Sequence, residues 1–416
     1  MFAERASFFQ GIPNALYREK EAITRTGSLL IDLVSANLHA HGIHYPRSIL
    51  KRAFSFAASQ AKNYCPDPQG QQIARGAIQK YYAEEGVSIP DDQIVLTPGT
   101  SLSYLYLFKL LANSRDEILC PTPTYPLFDS IAALCDVKIV SYRLAPSRKG
   151  SIGGALGRDD ASPAKSASPC KRWEIDFDHL QSKISEKTRA LILISPHNPT
   201  GHVANETEIK RFCAIARKHD LPIISDEVFS PFLFKAEHLF RPVETDAPLV
   251  FTLNGISKML ALPGVKIGWI AVTGGQSRVE KSVHLLKGIS DTFLPVNEDA
   301  QFALPALLHD GKPFMKSYQA QIRHRFQMAV LALMKMPECS FIPPEGGFYL
   351  AIKMKDQKSN EEKIALELLR KEKILVHPGF FYDLPSGYLV LSFVSQPALF
   401  KKNMERMAHI LGVASK

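Results

Sequence analysis

Lys258 closes the run Leu253-Asn254-Gly255-Ile256-Ser257-Lys258, just past the apolar stretch Leu249-Val250-Phe251-Thr252-Leu253. An amine at the edge of a buried strand is partly desolvated. Its pKa falls, and it can attack a carbonyl and hold it as a Schiff base. Two other apolar runs deliver polar residues in the same manner. Ala190-Leu191-Ile192-Leu193-Ile194 leads into Ser195-Pro196-His197-Asn198, and Pro222-Ile223-Ile224-Ser225 leads into Asp226-Glu227. Ligands of open α/β sheets collect at the carboxyl ends of the strands, where an amide, a carboxylate and an amine would then meet. That trio suits a heteroaromatic cation beside an aldehyde. Asp226 would keep a pyridinium nitrogen protonated, Asn198 would hydrogen-bond a ring hydroxyl, and Lys258 would form the imine.

Thr97-Pro98-Gly99-Thr100-Ser101 ends another apolar run and opens a helical one. Its backbone N–H groups, two hydroxyls and helix start make an anion site suited to a phosphate ester. Pro121-Thr122-Pro123-Thr124-Tyr125-Pro126 places an aromatic where it could stack on a planar ring. Each residue alone has a plainer reading: Asp226 as a helix cap, Tyr125 as core packing, Asn198 as a turn residue, Gly99 with Thr100 as an ordinary cap. Their joint occurrence favours a ligand site.

The elements that must position them follow from periodicity. Seven strands are expected, at 94–96, 117–120, 137–142, 190–194, 222–225, 249–253 and 267–272. Helices alternate with them at 101–112, 125–134 and 206–219. Strands apolar on both faces, separated by helices, indicate an α/β fold with a mostly parallel seven-stranded sheet covered on both sides. After Pro295 the pattern changes. A largely helical stretch, 298–336, is expected to break at Pro305 and near Gly311. Strands at 348–352, 374–376 and 388–393, with helices at 361–371 and 397–411, read as a smaller α/β domain. The expected division is 1–45 as a segment joining that domain or covering the site mouth, 46–295 as the large domain and 296–416 as the small one. Residues 147–169, rich in Ser, Gly, Ala and charge, read as a mobile inserted loop.

The 416 residues are 45% apolar and 22% charged, a composition for globular folding, and no apolar run is long enough to span a membrane. The net charge of +9 is spread along the chain, six Lys/Arg falling between Ser147 and Arg172. No nucleic-acid motif accompanies it. The 6 cysteines are scattered without a C-x-x-C pair, and no signal-like leader is evident, so a cytoplasmic protein is expected. His39, His41 and His44 lack a matching carboxylate or cysteine cluster. They read as a partly exposed loop rather than a metal site.

On these residues the chain resembles the fold-type-I pyridoxal-phosphate enzymes, specifically class I/II aminotransferases, from about Asp32 onward. The ordered markers are Asn63-Tyr64, Gly70, Ala74-Arg75, Gly99-Thr100-Ser101, Tyr125, Asn198-Pro199-Thr200-Gly201, Asp226-Glu227, Ser257-Lys258, Gly264, Gly268 and Glu345-Gly346-Gly347-Phe348-Tyr349. The resemblance implies pyridoxal 5'-phosphate as cofactor and Lys258 as its Schiff-base lysine and proton carrier. It implies Asp226 as partner of the ring nitrogen, Asn198 of the ring hydroxyl, and Tyr125 as the stacking ring. Gly99, Thr100, Ser101, Ser257 and Lys266 fall on the phosphate site. Tyr64 matches a tyrosine that reaches the neighbouring subunit's phosphate, which implies a homodimer.

Four positions depart from the family's pattern. Phe229 stands for a tyrosine, Gly255 for a phosphate-contacting serine, Lys266 for an arginine, and Val390 for the arginine that clamps the substrate α-carboxylate. Arg323, Arg325 and His377 are candidate replacements for the last. The expected activity is transfer of an amino group between an amino acid or amine and a 2-oxo acid, with aspartate and glutamate poorly used. A β-eliminating lyase or decarboxylase on the same scaffold, and a non-catalytic cofactor-binding regulator, are the alternatives.

Overall fold

The computed structural model describes residues 14–60, 64–147, 172–355 and 360–414, with positions 2, 6 and 8. Asn63 and nearly all of the loop expected at 147–169 lie outside the described residues. Helix α1 (Ala15–Arg25) and strand β1 (Ile31–Asp32) precede helices α2 (Arg47–Gln60) and α3 (Gln72–Glu84). Strands and helices then alternate: β2 (Ile94–Thr97), α4 (Thr100–Leu111), β3 (Glu117–Thr122), α5 (Phe128–Cys135), β4 (Lys138–Pro146), β5 (Trp173–Ile175) and α6 (Phe177–Lys183). The alternation continues with β6 (Thr188–Ile194), α7 (Glu206–Lys218), β7 (Ile223–Asp226), β8 (Leu249–Gly255), the single turn α8 (Ile256–Met259) and β9 (Gly268–Gly274). Helices α9 (Gln276–Phe293), α10 (Glu298–Asp310) and α11 (Lys312–Leu333) follow. The remainder is β10 (Cys339–Phe341), β11 (Tyr349–Met354), α12 (Glu361–Glu367), β12 (Ile374–Leu375), β13 (His377–Pro378), β14 (Tyr388–Ser392) and α13 (Pro397–Ala414).

The large sheet runs in the order β2-β9-β8-β7-β6-β3-β4-β5. Pairing is parallel from β8 through β4, while β9 is antiparallel to both neighbours and β5 is antiparallel to β4. Seven strands were expected and, among the described residues, eight form. The extra one, β5, has three residues, too short for its Trp173 and Ile175 to show as a period. Both faces are covered. Ile192 and Ile194 belong to a core with residues of α4, α5 and α9, while Leu191 and Leu193 share another with residues of α6 and α7. This two-sided burial is the reason for the unbroken apolar runs.

A smaller antiparallel sheet, β10-β11-β14-β13, buries Leu350, Ile352, Leu389 and Leu391 with residues of α11, α12 and α13, and with Leu16 and Ile23 of α1. Strand β1 pairs with β12 beside it.

Two expectations need correction. Pro305 lies inside α10 without breaking it. A proline there removes one hydrogen bond, but Ala303, Leu304 and Leu307 are buried around it and hold the helix together. The helix expected from Tyr125 begins at Phe128 instead, because Pro126 drives the preceding residue out of the helical region. Tyr125 therefore stays in the loop after β3. Among the described residues no helix is long and apolar enough to cross a membrane.

Candidate active site

Ile194, Asp226 and Leu253 are register partners in one row across β6, β7 and β8. The three chains that leave this row carry Asn198, Asp226 itself and Lys258. On the other side of β8, Gly268 pairs with both Gly255 and Thr97, which brings the Gly99 turn beside the start of α8. The expected phosphate residues are thereby gathered near the expected lysine.

Asp226 is 8% exposed. Its Oδ2 accepts from the Tyr104 hydroxyl at 2.7 Å and its Oδ1 from the Val228 N–H at 3.1 Å. Burial raises its pKa, and these two donors oppose the rise. Among the described residues it forms no ion pair. The adjacent Glu227 is paired: Arg241 Nε lies 2.9 Å from its Oε2 and the Ser225 hydroxyl donates to Oε1 at 3.0 Å. Strand alternation sends these neighbouring carboxylates to different partners, and the buried Arg241–Glu227 pair pins the end of β7.

Lys258 sits in α8, where the Tyr318 hydroxyl donates to its carbonyl at 3.1 Å. Burial lowers the pKa of its amine. Among the described residues that amine has neither an ion pair nor a hydrogen bond. The amide oxygen Oδ1 of Asn198 is enclosed and, among the described residues, also lacks a partner.

Gly99 caps α4 with φ +123°, a conformation open to glycine and costly for other residues. Leu102 and Ser103 both donate to the Gly99 carbonyl, at 3.0 and 3.2 Å, so the N–H groups of Thr100 and Ser101 precede the first helical bond and remain free for an anion. Ser101 and Lys266 are exposed; Thr100 and Ser257 are half-buried. The Gly255 departure has a packing cause, since a Cβ there would lie 2.8 Å from the Ile267 carbonyl oxygen.

Tyr125 is 45% exposed, and its loop is fastened where the Thr124 N–H meets the Tyr382 carbonyl at 2.8 Å. Tyr64 is 86% exposed and, among the described residues, makes no hydrogen bond. Phe229 is buried edge-on against Phe348, at 4.9 Å between ring centroids. Val390 is fully buried, paired with Ala351 and His377. Among the described residues, neither arginine considered as its substitute has a carboxylate partner. Arg323 donates to the Leu233 carbonyl at 3.0 Å, and Arg325 to the carbonyls of His41, also at 3.0 Å, and Val394. His39 bonds the Ala261 carbonyl at 3.0 Å and meets His44 edge-on.

Sequence reasoning missed Tyr104. Its only signal is a hydroxyl one turn after Ser101 in an otherwise apolar helix, and a sequence alone does not show that this hydroxyl reaches β7.

Residues 31–406 match the family described as aminotransferase class I and II. The glutamate-pyruvate aminotransferase AlaA of Escherichia coli is 26% identical over 382 residues, covering 90% of this chain and 88% of that protein. The tyrosine aminotransferase of Dictyostelium discoideum is 25% identical, over 79% of this chain and 76% of its own length. In fold, the alanine aminotransferase of Pyrococcus furiosus superimposes with a TM-score of 0.86 at 23% identity, covering 99% of this chain and 100% of the other. The chain belongs to the aminotransferase class I and II family, and its cofactor is pyridoxal phosphate.

Proposed function

We propose that this chain moves an amino group from an amino acid or amine to a 2-oxo acid, with Lys258, Asp226 and Asn198 as the residues that hold pyridoxal phosphate. One observation carries the reading. Among the described residues, a buried carboxylate without a cation, Asp226, and a desolvated amine without an anion, Lys258, stand at the ends of adjacent strands. Both needs are met by a ligand with a protonated ring nitrogen at one end and a carbonyl nearby, and a ring hydroxyl would satisfy the orphaned Asn198 Oδ1. Bound there, the cofactor supplies an aldehyde that exchanges with amines and an electron-poor ring that acidifies the substrate Cα–H.

The chain's own residues do the rest. Lys258 Nζ, with its lowered pKa, would hold the cofactor aldehyde and, when free, would serve as the base for the substrate Cα proton. Asp226, whose ionised form the donors Tyr104 and Val228 favour against the upward push of burial, would hold the ring nitrogen protonated. The N–H groups of Thr100 and Ser101 and the Ser257 hydroxyl would donate to the phosphate, Lys266 would offset its charge, and Tyr125 would stack on the ring. Tyr64, without a hydrogen bond among the described residues, would complete the phosphate site of a second copy in a homodimer.

The test is direct. Holoenzyme is mixed with a panel of amino acids and amines and with 2-oxo acids, and the new ketone and amino acid are measured by mass spectrometry. Amino transfer is expected, with aspartate and glutamate among the poorer donors. Release of ammonia or carbon dioxide without transfer would replace this reading with elimination or decarboxylation.

A further inference from the structure

The polar residues next to Val390 form a connected group. Phe229, three positions past Asp226, meets the Tyr349 ring at 6.3 Å. Burial raises the pKa of Tyr349, and Tyr125 and Asp32 are close enough to add to the rise. Tyr382 senses Tyr349, Tyr125 and Tyr17 in the same way, after burial. At the end of this chain lies His377, the register partner of Val390. Its Nε2 is 2.9 Å from the Tyr17 hydroxyl and its Nδ1 is 3.0 Å from the Tyr382 hydroxyl. Phe381 backs the group, stacked on Tyr17 at 6.4 Å and edge-on to His377 at 5.1 Å.

Resting on the aminotransferase reading, we propose that Tyr17, His377 and Tyr382 form an uncharged hydrogen-bonding subsite beside Val390, so that the preferred amino donor presents a hydroxyl or amide there rather than a carboxylate. The imidazole is neutral near pH 7, because burial pushes it down to about 4. A neutral imidazole has one N–H and one lone pair, so one tyrosine hydroxyl donates to it and the other accepts from it. Tyr382 is buried, whereas Tyr17 is 39% exposed and is the end a ligand reaches. When Tyr17 accepts from Nε2, its own hydrogen is free for a ligand acceptor. When it donates to Nε2, its lone pairs are free for a ligand donor. The two arrangements are the two neutral tautomers of the imidazole. They interchange when water protonates one ring nitrogen and removes the proton from the other, while the hydroxyl hydrogens turn to suit. Between them they match a group that both donates and accepts.

A carboxylate finds no such match. The relay offers it at most one hydrogen and no charge. The fixed charges nearby are Asp32, whose Oδ1 accepts from the N–H groups of Val34 and Ser35 at 2.9 and 2.8 Å, and Lys20, whose ammonium lies 5.6 Å from the Tyr17 ring centroid. Lys20, the cation beside it, is already engaged with Asp32 Oδ2 at 3.3 Å. A carboxylate entering here would be desolvated against apolar Val390, and the Lys20–Asp32 pair leaves it no uncompensated positive charge.

The experiment uses three ligands that differ at one carbon and lack a Cα hydrogen, so that they bind without turnover: 2-amino-2-methylpropanoic acid, its primary amide and the corresponding alcohol. Dissociation constants for the holoenzyme are read from the change in cofactor absorbance and by calorimetry. The alcohol and amide are expected to bind at least about tenfold tighter than the acid. Tyr17→Phe, which keeps the stacked ring, should weaken the alcohol and amide roughly fivefold and leave the acid unchanged. Binding of the acid as tight as the alcohol, or equal weakening of all three by Tyr17→Phe, would overturn the subsite. Amino transfer by ordinary donors is measured separately. Its absence would remove the transferase reading, while the order of the three dissociation constants still decides the subsite.

Discussion

The Tyr104 hydroxyl donates to Oδ2 of Asp226 at 2.7 Å, inside a site where both residues are buried. Burial keeps the tyrosine protonated by raising its pKa, so it remains a donor throughout the working pH range. The bond opposes the upward push that burial exerts on Asp226. Removing it with Tyr104→Phe, which retains the ring packed edge-on against Phe128 at 4.9 Å, should raise the Asp226 pKa further. The acidic limb of the pH–rate profile then moves to higher pH. Turnover at neutral pH falls about tenfold, the scale of one hydrogen bond to a charged group at roughly 1.5 kcal/mol. A profile and turnover identical to the parent would show that Tyr104 only fills space.

Lys258→Ala should abolish the visible absorbance that arises when the cofactor is joined to the lysine, with circular dichroism unchanged. The side chain stabilises nothing through an ion pair or hydrogen bond among the described residues, so its loss has little effect on folding. Asp226→Ala should retain part of the cofactor and lose most turnover, because an unprotonated ring draws electrons poorly. An unaltered visible band in Lys258→Ala would reassign the cofactor lysine.

The strand ends were legible because runs buried on both faces leave an unmistakable apolar signature, as in Ala190–Ile194, and the polar residue that follows each run is then placed by topology. The relay was not. Tyr17, His377 and Tyr382 come from α1, β13 and the turn after it, and nothing local ties a tyrosine in a polar helix to a histidine 360 positions away. Tyr104 was hidden for a related reason. In Leu102-Ser103-Tyr104-Leu105-Tyr106-Leu107-Phe108 an aromatic reads as packing, and Tyr106 is buried in the same core without bonding Asp226. Pro305 misled in the opposite sense, since local propensity pointed to a break that tertiary packing overrides.

Glu345 supplies a stability prediction with a defined sign. Burial alone would raise its pKa, but His202, Arg172 and Lys235 together hold it at about 2, against an ordinary value of 4.5. Arg172 bridges Glu208 at 2.9 Å and Glu345 at 3.3 Å, and the Glu345 N–H bonds the Gly201 carbonyl at 2.8 Å, which anchors the turn carrying Asn198. A depressed carboxylate contributes stability that is present above its unfolded value and is lost as pH falls toward the folded one. Glu345→Gln should therefore cost on the order of 3 kcal/mol near pH 7, and the gap from the parent should close between about pH 4.5 and 2. Urea unfolding across that range measures it. A pH-independent gap would assign the loss to packing.

Tyr64 tests the assembly. It is 86% exposed and without a hydrogen bond among the described residues, an uncommon placement for a large aromatic that a second copy would cover. If its hydroxyl completes the phosphate site of a partner, Tyr64→Phe removes one charge-assisted bond and leaves the ring contact intact. Cofactor retention should weaken by about 1 kcal/mol, roughly a fivefold rise in the cofactor dissociation constant, while light scattering still reports a dimer. Because each site would borrow the hydroxyl from the other chain, mixing Tyr64→Phe with Lys258→Ala should form heterodimers with one site that has both an intact lysine and an intact borrowed tyrosine. That site should bind cofactor with parental affinity. A fully active monomer, or a Tyr64→Phe protein that holds cofactor as tightly as the parent, would remove Tyr64 from the phosphate site.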